Sequence, residues 1–214
     1  MQLILEHFII IIFILFFISI ALSAILFKHK RRFLIIISTI WFVSIPLLFC
    51  ITHFGPSIWW HYKLKNLETS FSKDGICKQT TGFTCGPAAA VTVLRDLGID
   101  AKENDLAIYS KCNPKGGTTH KNLVKAIKKL YGKNGIECSY LTFDSIEQLK
   151  DSCPLIACIN LSSAVSHYTV ILEVTENKVI IGDPIGGKKQ WSHENFQKRC
   201  WPTAIIVKHI PNHK

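Results

Sequence analysis

Residues 8–27 and 33–52 form two runs of 20 residues, neither holding a charged side chain, and this constrains the chain more than any other feature. As a helix, each run is long enough to cross roughly 30 Å of hydrocarbon. A helical hairpin buried inside a soluble protein fits two such runs poorly. The first run makes a poor signal peptide, because Met1 to His7 carries no Lys or Arg, although Ala21-Leu-Ser-Ala24 resembles a cleavage site. Two retained transmembrane helices in a lipid bilayer are therefore expected. Between them lies Lys28-His-Lys-Arg-Arg32, the densest basic cluster in the chain. Short basic loops stay cytoplasmic, which places the remainder after residue 55 outside the cytoplasm at the inner membrane. Trp59, Trp60 and Tyr62 suit the aromatic belt at the membrane exit.

The 48% hydrophobic content is concentrated in this segment, so it reports a membrane anchor and not an unusually apolar core. The formal net charge is +10, and the part after residue 55 still carries +7. Such a balance suits nucleic acid, an anionic membrane surface or an acidic substrate. The basic cluster of His120, Lys121, Lys125, Lys128, Lys129 and Lys133 has helical spacing and no accompanying nucleic-acid motif. It reads as a solvated helix face, and no nucleic-acid partner is expected. Cys77, Cys112, Cys138, Cys153, Cys158 and Cys200 would permit up to three disulfides in an oxidising compartment, with pairing undetermined. No Cys-x-x-Cys pair is present, so neither metal nor cofactor is expected.

Residues 56–75 show no strong period and read as a juxtamembrane connector, with a folded domain over 76–214. Pro87 to Leu97 has helical spacing of Ala90, Val93, Leu94 and Leu97, with Gly98 suited to its C-terminal end. A second helix is expected from Thr119 to Tyr131, capped by Thr118, and a short third from Ser145 to Lys150. After Pro154 come apolar runs typical of strands: 155–160, 168–174, 179–182 and 203–208. Residues 175–178 and 183–187 have turn composition between them. Helices first and strands later imply an α+β domain, an antiparallel sheet packed on the first helix.

Cys85 stands immediately before Gly86-Pro87 at the start of that helix. Unpaired backbone N–H groups and the helix dipole stabilise a thiolate at such a position. His167, entering a strand, is the imidazole that could take the thiol proton and later protonate a leaving amine. Asp183 follows 16 residues later across one hairpin, so antiparallel pairing could bring it beside His167 to fix the tautomer. Gln79, six residues before Cys85, could donate its side-chain amide to an oxyanion together with the Cys85 N–H. His193 and Asp144 have no comparable support and read as surface or turn residues, as does His120. Asn160 is a weak candidate for lining a site.

Gln79-x5-Cys85-Gly-Pro-Ala opening a helix, then His167-Tyr-Thr-Val-Ile, then Gly182-Asp-Pro, resembles peptidase family C39, papain-like cysteine peptidases whose best-known members remove double-glycine leaders from bacteriocin precursors. The resemblance covers about residues 76–208. It implies Cys85 as nucleophile, His167 as base, Asp183 as the orienting third member and Gln79 at the oxyanion hole. It also implies a peptide or protein substrate and a connection with secretion or export machinery. The family's exporters carry six spans and an ATPase, whereas this sequence holds no Gly-x4-Gly-Lys-Ser/Thr phosphate loop. The leading expectation is a membrane-anchored cysteine endopeptidase. A non-cleaving peptide-binding module and a papain-fold acyltransferase or amidase are the alternatives.

Overall fold

The computed structural model describes residues 32–162 and 165–210, with Ile18 and Ala21. Apart from those two residues, the first apolar run lies outside the described residues, as does the basic stretch up to Arg31. The chain divides into two compact units, residues 1–60 and 61–214. Helix α1 runs Arg32–Lys65, and its part Thr39–Lys65 is long and apolar enough to cross a membrane. Trp41, Leu48 and Ile58 on it are exposed. The helix continues past Thr52 through much of the stretch expected to be an irregular connector. Leu64 in its last turn packs with Ala107 and Cys112, so tertiary contact holds helix where the local period is weak.

The second unit is α+β. A two-stranded ribbon pairs β1 (Ser70–Phe71) with β2 (Cys77–Lys78). Then come α2 (Cys85–Asp96), α3 (Glu103–Tyr109) and α4 (His120–Tyr131). The main sheet holds β3 (Ile136–Thr142), β4 (Leu155–Asn160), β5 (Ser166–Val174), β6 (Lys178–Asp183), β7 (Gly187–Ser192) and β8 (Cys200–His209), with α5 (His193–Arg199) before the last strand. Its order is β3-β8-β4-β5-β6-β7, every neighbour antiparallel.

Both faces of this sheet are covered, which is why its central strands read as continuous apolar runs. On one face Ile156, Cys158, Tyr168, Val170, Ile205 and Val207 pack against Ala89, Val93 and Leu94 of α2 and against Leu123 and Ile127 of α4. On the other, Leu155, Ala157, Ile171 and Ile181 pack against Ile146, Leu149 and Phe196. The edge strands β3 and β7 were absent from the sequence reading for the opposite reason. In β7 no residue is fully buried, so it carries Lys188 and Lys189 and no apolar pattern.

Helix ends follow their local chemistry. Gly98 has φ of 79°, Gly98 N donates to Arg95 O and Ile99 N donates to Leu94 O, both at 2.9 Å, which closes α2 as a Schellman turn. The cap of α4 is Thr119 rather than Thr118: its Oγ1 accepts from Asn122 N at 3.2 Å, while Thr118 Oγ1 donates to Ser110 O at 2.9 Å. The expected third helix is a 3₁₀ segment, Ile146–Ser152.

All eight cysteines are free thiols, so the expected disulfides are not formed. Cys77, Cys138 and Cys158 sit within the core among aliphatic neighbours, as small apolar side chains. Because Phe196 is wholly buried, Phe196→Ala is expected to lower unfolding free energy by about 3–5 kcal/mol. Ile185→Ala, at a site 62% exposed, should change it by about 0.5 kcal/mol or less. Urea unfolding of the full chain in detergent, followed by tryptophan fluorescence, checks both.

Candidate active site

Cys85 is the first residue of α2, with Thr84 at the N-cap making no side-chain bond to the helix. The first helical hydrogen bond runs from Ala88 N to Thr84 O at 3.0 Å. The N–H groups of Cys85 and Gly86 precede that bond, and Pro87 has none, so this end is left open toward the sulfur. Gly86 is required there, since a Cβ would lie 2.6 Å from Thr118 Cγ2 and 3.1 Å from the Tyr168 ring.

His167 and Asp183 come together through the register of β5 and β6. Val170 pairs with Gly182, which leaves Asp183 at the end of β6 a diagonal step from His167. His167 Nε2 and Asp183 Oδ1 are 2.8 Å apart and both residues are buried. Nδ1 is the ring nitrogen left for Cys85. Burial alone would lower the His167 pKa, but hydrogen bonds to Asp183 and to Cys85 outweigh it and raise it to about 9.

Asp183 has two further donors. Ile185 N gives a hydrogen bond to Oδ1 at 2.9 Å, and Lys189 Nζ approaches Oδ2 at 2.6 Å. Burial would raise the carboxyl pKa, yet the bonds from His167, Lys189 and Ile185 hold it well below the usual carboxylate range. Lys189 was missed from sequence. The available signal was its place six residues after Asp183, across the turn at 183–187.

Gln79 is tied to the same turn: its N–H donates to Pro184 O at 3.1 Å. Its Nε2 donates to Thr81 O at 2.8 Å, in the loop that leads into Cys85, and its buried Oε1 has no partner among the described residues. Thr80 anchors that loop to the buried Glu103, with its N–H at 2.9 Å and Oγ1 at 2.6 Å from the carboxylate.

A cleft of about 630 Å³ opens at Cys85, walled by Gly117, Thr118, His120, Tyr168 and Trp201. His120 therefore departs from the solvated face on which Lys121, Lys125, Lys128 and Lys129 stand exposed. It is half-buried, its Nδ1 lies 2.9 Å from Tyr168 Oη, and its ring stacks on Trp201 at 6.0 Å and 16°. Burial lowers its pKa. As the first residue of α4 its side chain turns back over the helix start, away from the lysine stripe. Asn160 contributes indirectly: Trp201 Nε1 donates to its Oδ1 at 2.7 Å, fixing that wall. The neighbouring thiols Cys112 and Cys158 are pushed by burial to about 12 and about 11.

The Peptidase C39 family model matches residues 73–212. The chain belongs to the peptidase C39 family. An uncharacterized protein of Methanothermobacter thermautotrophicus is 30% identical over 145 residues, covering 66% of this chain and 93% of that one. The pediocin PA-1 transport/processing ATP-binding protein PedD of Pediococcus acidilactici is 33% identical over 125 residues, 58% of this chain but 17% of that protein. The crystal structure of the peptidase domain of Streptococcus ComA, a bifunctional ABC transporter involved in quorum sensing, superimposes with a TM-score of 0.55 at 29% identity. It covers 62% of this C39 chain and 96% of that domain.

A histidine whose pKa is raised from 6.5 to about 9 contributes stability that is complete below pH 6.5 and is lost as pH rises through 9. Thermal unfolding of wild type and Asp183→Asn is therefore expected to differ most near pH 6.5, with the gap closing toward pH 9. A gap that widens over that interval would contradict the assignment.

Proposed function

We propose that this chain is a membrane-anchored cysteine endopeptidase that cleaves peptide bonds with a Cys85-His167-Asp183 triad. The observation that carries the reading is the 2.8 Å bond between buried His167 and Asp183, with Cys85 hydrogen-bonded to the same ring. Cys85 Sγ attacks the substrate carbonyl and its proton passes to His167 Nδ1. Asp183 holds the ring and stabilises its charged form. The second hydrogen of Gln79 Nε2 and the Cys85 N–H donate to the oxyanion. His167 then protonates the leaving amine, a thioester remains on Cys85, and a water deprotonated by His167 releases the new carboxylate.

The substrate is a peptide or an extended protein segment. The cleft at Cys85 is walled by flat rings and by Gly116 and Gly117, and PedD and ComA carry their C39 relatives within transport proteins. That kinship supports a partner in export machinery. The apolar part of α1 and the uncharged run at residues 8–27 support an anchor of two spans, with the basic stretch 28–32 cytoplasmic and the peptidase domain outside.

Cys85→Ala is expected to remove cleavage while leaving the circular dichroism unchanged. Comparing peptides from the membranes and medium of cells carrying either form checks this and identifies the substrate. Gln79→Ala should lower kcat by roughly 10²–10³-fold. A reporter fused after Lys214 should give an extracytoplasmic signal, and a cytoplasmic one would reverse the orientation.

A further inference from the structure

The acid at the end of the triad is held by more than the histidine. Asp183 has its two oxygens shared among three donors: His167 Nε2 and Ile185 N at Oδ1, and Lys189 Nζ at Oδ2. The Asp183 side chain is 8% exposed, whereas that of Lys189 is 42% exposed, so the lysine reaches inward from the rim of β7. The reach depends on a glycine. A Cβ at Gly186 would occupy the space of Lys189 Nζ and Cε and come within 3.3 Å of Asp183 Oδ2. The turn is thus bare where the lysine crosses it.

We propose that Lys189 is a positioning residue for the triad, locking Asp183 in its ionised form and in the orientation that bonds His167. The inference rests on the triad reading of Cys85, His167 and Asp183, and concerns how that triad is kept competent in acid. The charged groups that face Asp183 are His167 from β5 and Lys189 from β7. Cys85 from α2 acts through the His167 ring, and Asp74, between β1 and β2, stands near Gly187 at the far end of the turn. Of these, Lys189 is the permanent cation at the outer oxygen. Without it, one buried carboxylate oxygen loses its charge-assisted bond, and burial then favours the neutral acid.

The sign follows from linkage. A carboxylate held below its ordinary range contributes stability above its unfolded pKa, and that stability is lost as pH falls through the folded value. Removing the lysine moves the loss to higher pH. The protonated Asp183 would no longer balance the charged His167, so the ring's hold on Cys85 weakens at the same pH.

The test is a carboxyl-carbon NMR titration of the full chain in detergent, with ¹³C-labelled aspartate, for wild type, Lys189→Met, Lys189→Arg and Gly186→Ala. The Asp183 signal is assigned through Asp183→Asn. In Lys189→Met its midpoint should rise into the ordinary range, at about 4 or above. Lys189→Arg should keep it low, and Gly186→Ala, which retains the lysine but blocks its path, should raise it as the Met variant does. Iodoacetamide alkylation of Cys85 at pH 4.5 should fall about tenfold or more in Lys189→Met and Gly186→Ala, while the rate at pH 7 changes by about threefold or less. An unshifted midpoint in both variants, or an Arg variant that titrates like Met, would overturn the proposal. If Lys189→Met does not fold, the Gly186→Ala titration decides alone. None of these readouts requires peptide cleavage, so a chain that cleaves nothing yet shows the shift separates failure of the peptidase reading from failure of this one.

Discussion

The buried hydrogen bond between His167 and Asp183 is the interaction on which the rest of the site depends. It exists because β5 and β6 are consecutive antiparallel strands, and their register sets the acid a diagonal step from the histidine. Two buried ionisable groups are tolerated only when each satisfies the other. The remaining lone pairs of Asp183 are filled by Ile185 N–H and Lys189, so the pair is complete on the strand side. On the helix side, the backbone bond from Gln79 to Pro184 ties the loop before Cys85 to the turn after Asp183. One turn therefore organises acid, base and oxyanion donor, while α2 presents the nucleophile.

The sheet makes this geometry stiff. Its central strands are buried on both faces, by α2 and α4 on one side and by Phe196 and the Ile146–Ser152 segment on the other. Cysteines serve this packing as small apolar residues, which is why their number carried no disulfide information. Cys158 shows the distinction best: it lies in the same cleft as Cys85, yet it belongs to a buried strand, and burial keeps it a neutral thiol with a pKa near 11.

Legibility in the sequence followed the range of the forces involved. The α2 helix, with its Pro87 start and Gly98 stop, was readable because both signals are local. Strands β4, β5, β6 and β8 were readable because burial on two faces leaves uninterrupted apolar runs. β7 was not, since an exposed edge strand carries no hydrophobic period, and Lys189 was hidden with it. His120 was misread because its lysine neighbours share helical spacing with it. Its Tyr168 and Trp201 contacts come from strands 48 and 81 residues away. Asn160 was suspected of lining the cleft and instead fixes the Trp201 that does so.

The geometry makes the C39 assignment a chemical statement: the strained step is attack of one sulfur, and the reaction must pass through a thioester on Cys85. Intact-mass spectrometry of the full chain, acid-quenched within the first turnovers on peptides drawn from its own membrane, reads that intermediate directly. The account predicts a hydroxylamine-labile acyl adduct on Cys85 and on no other cysteine. Continued peptide turnover with Cys85 unmodified under the same quench would contradict it.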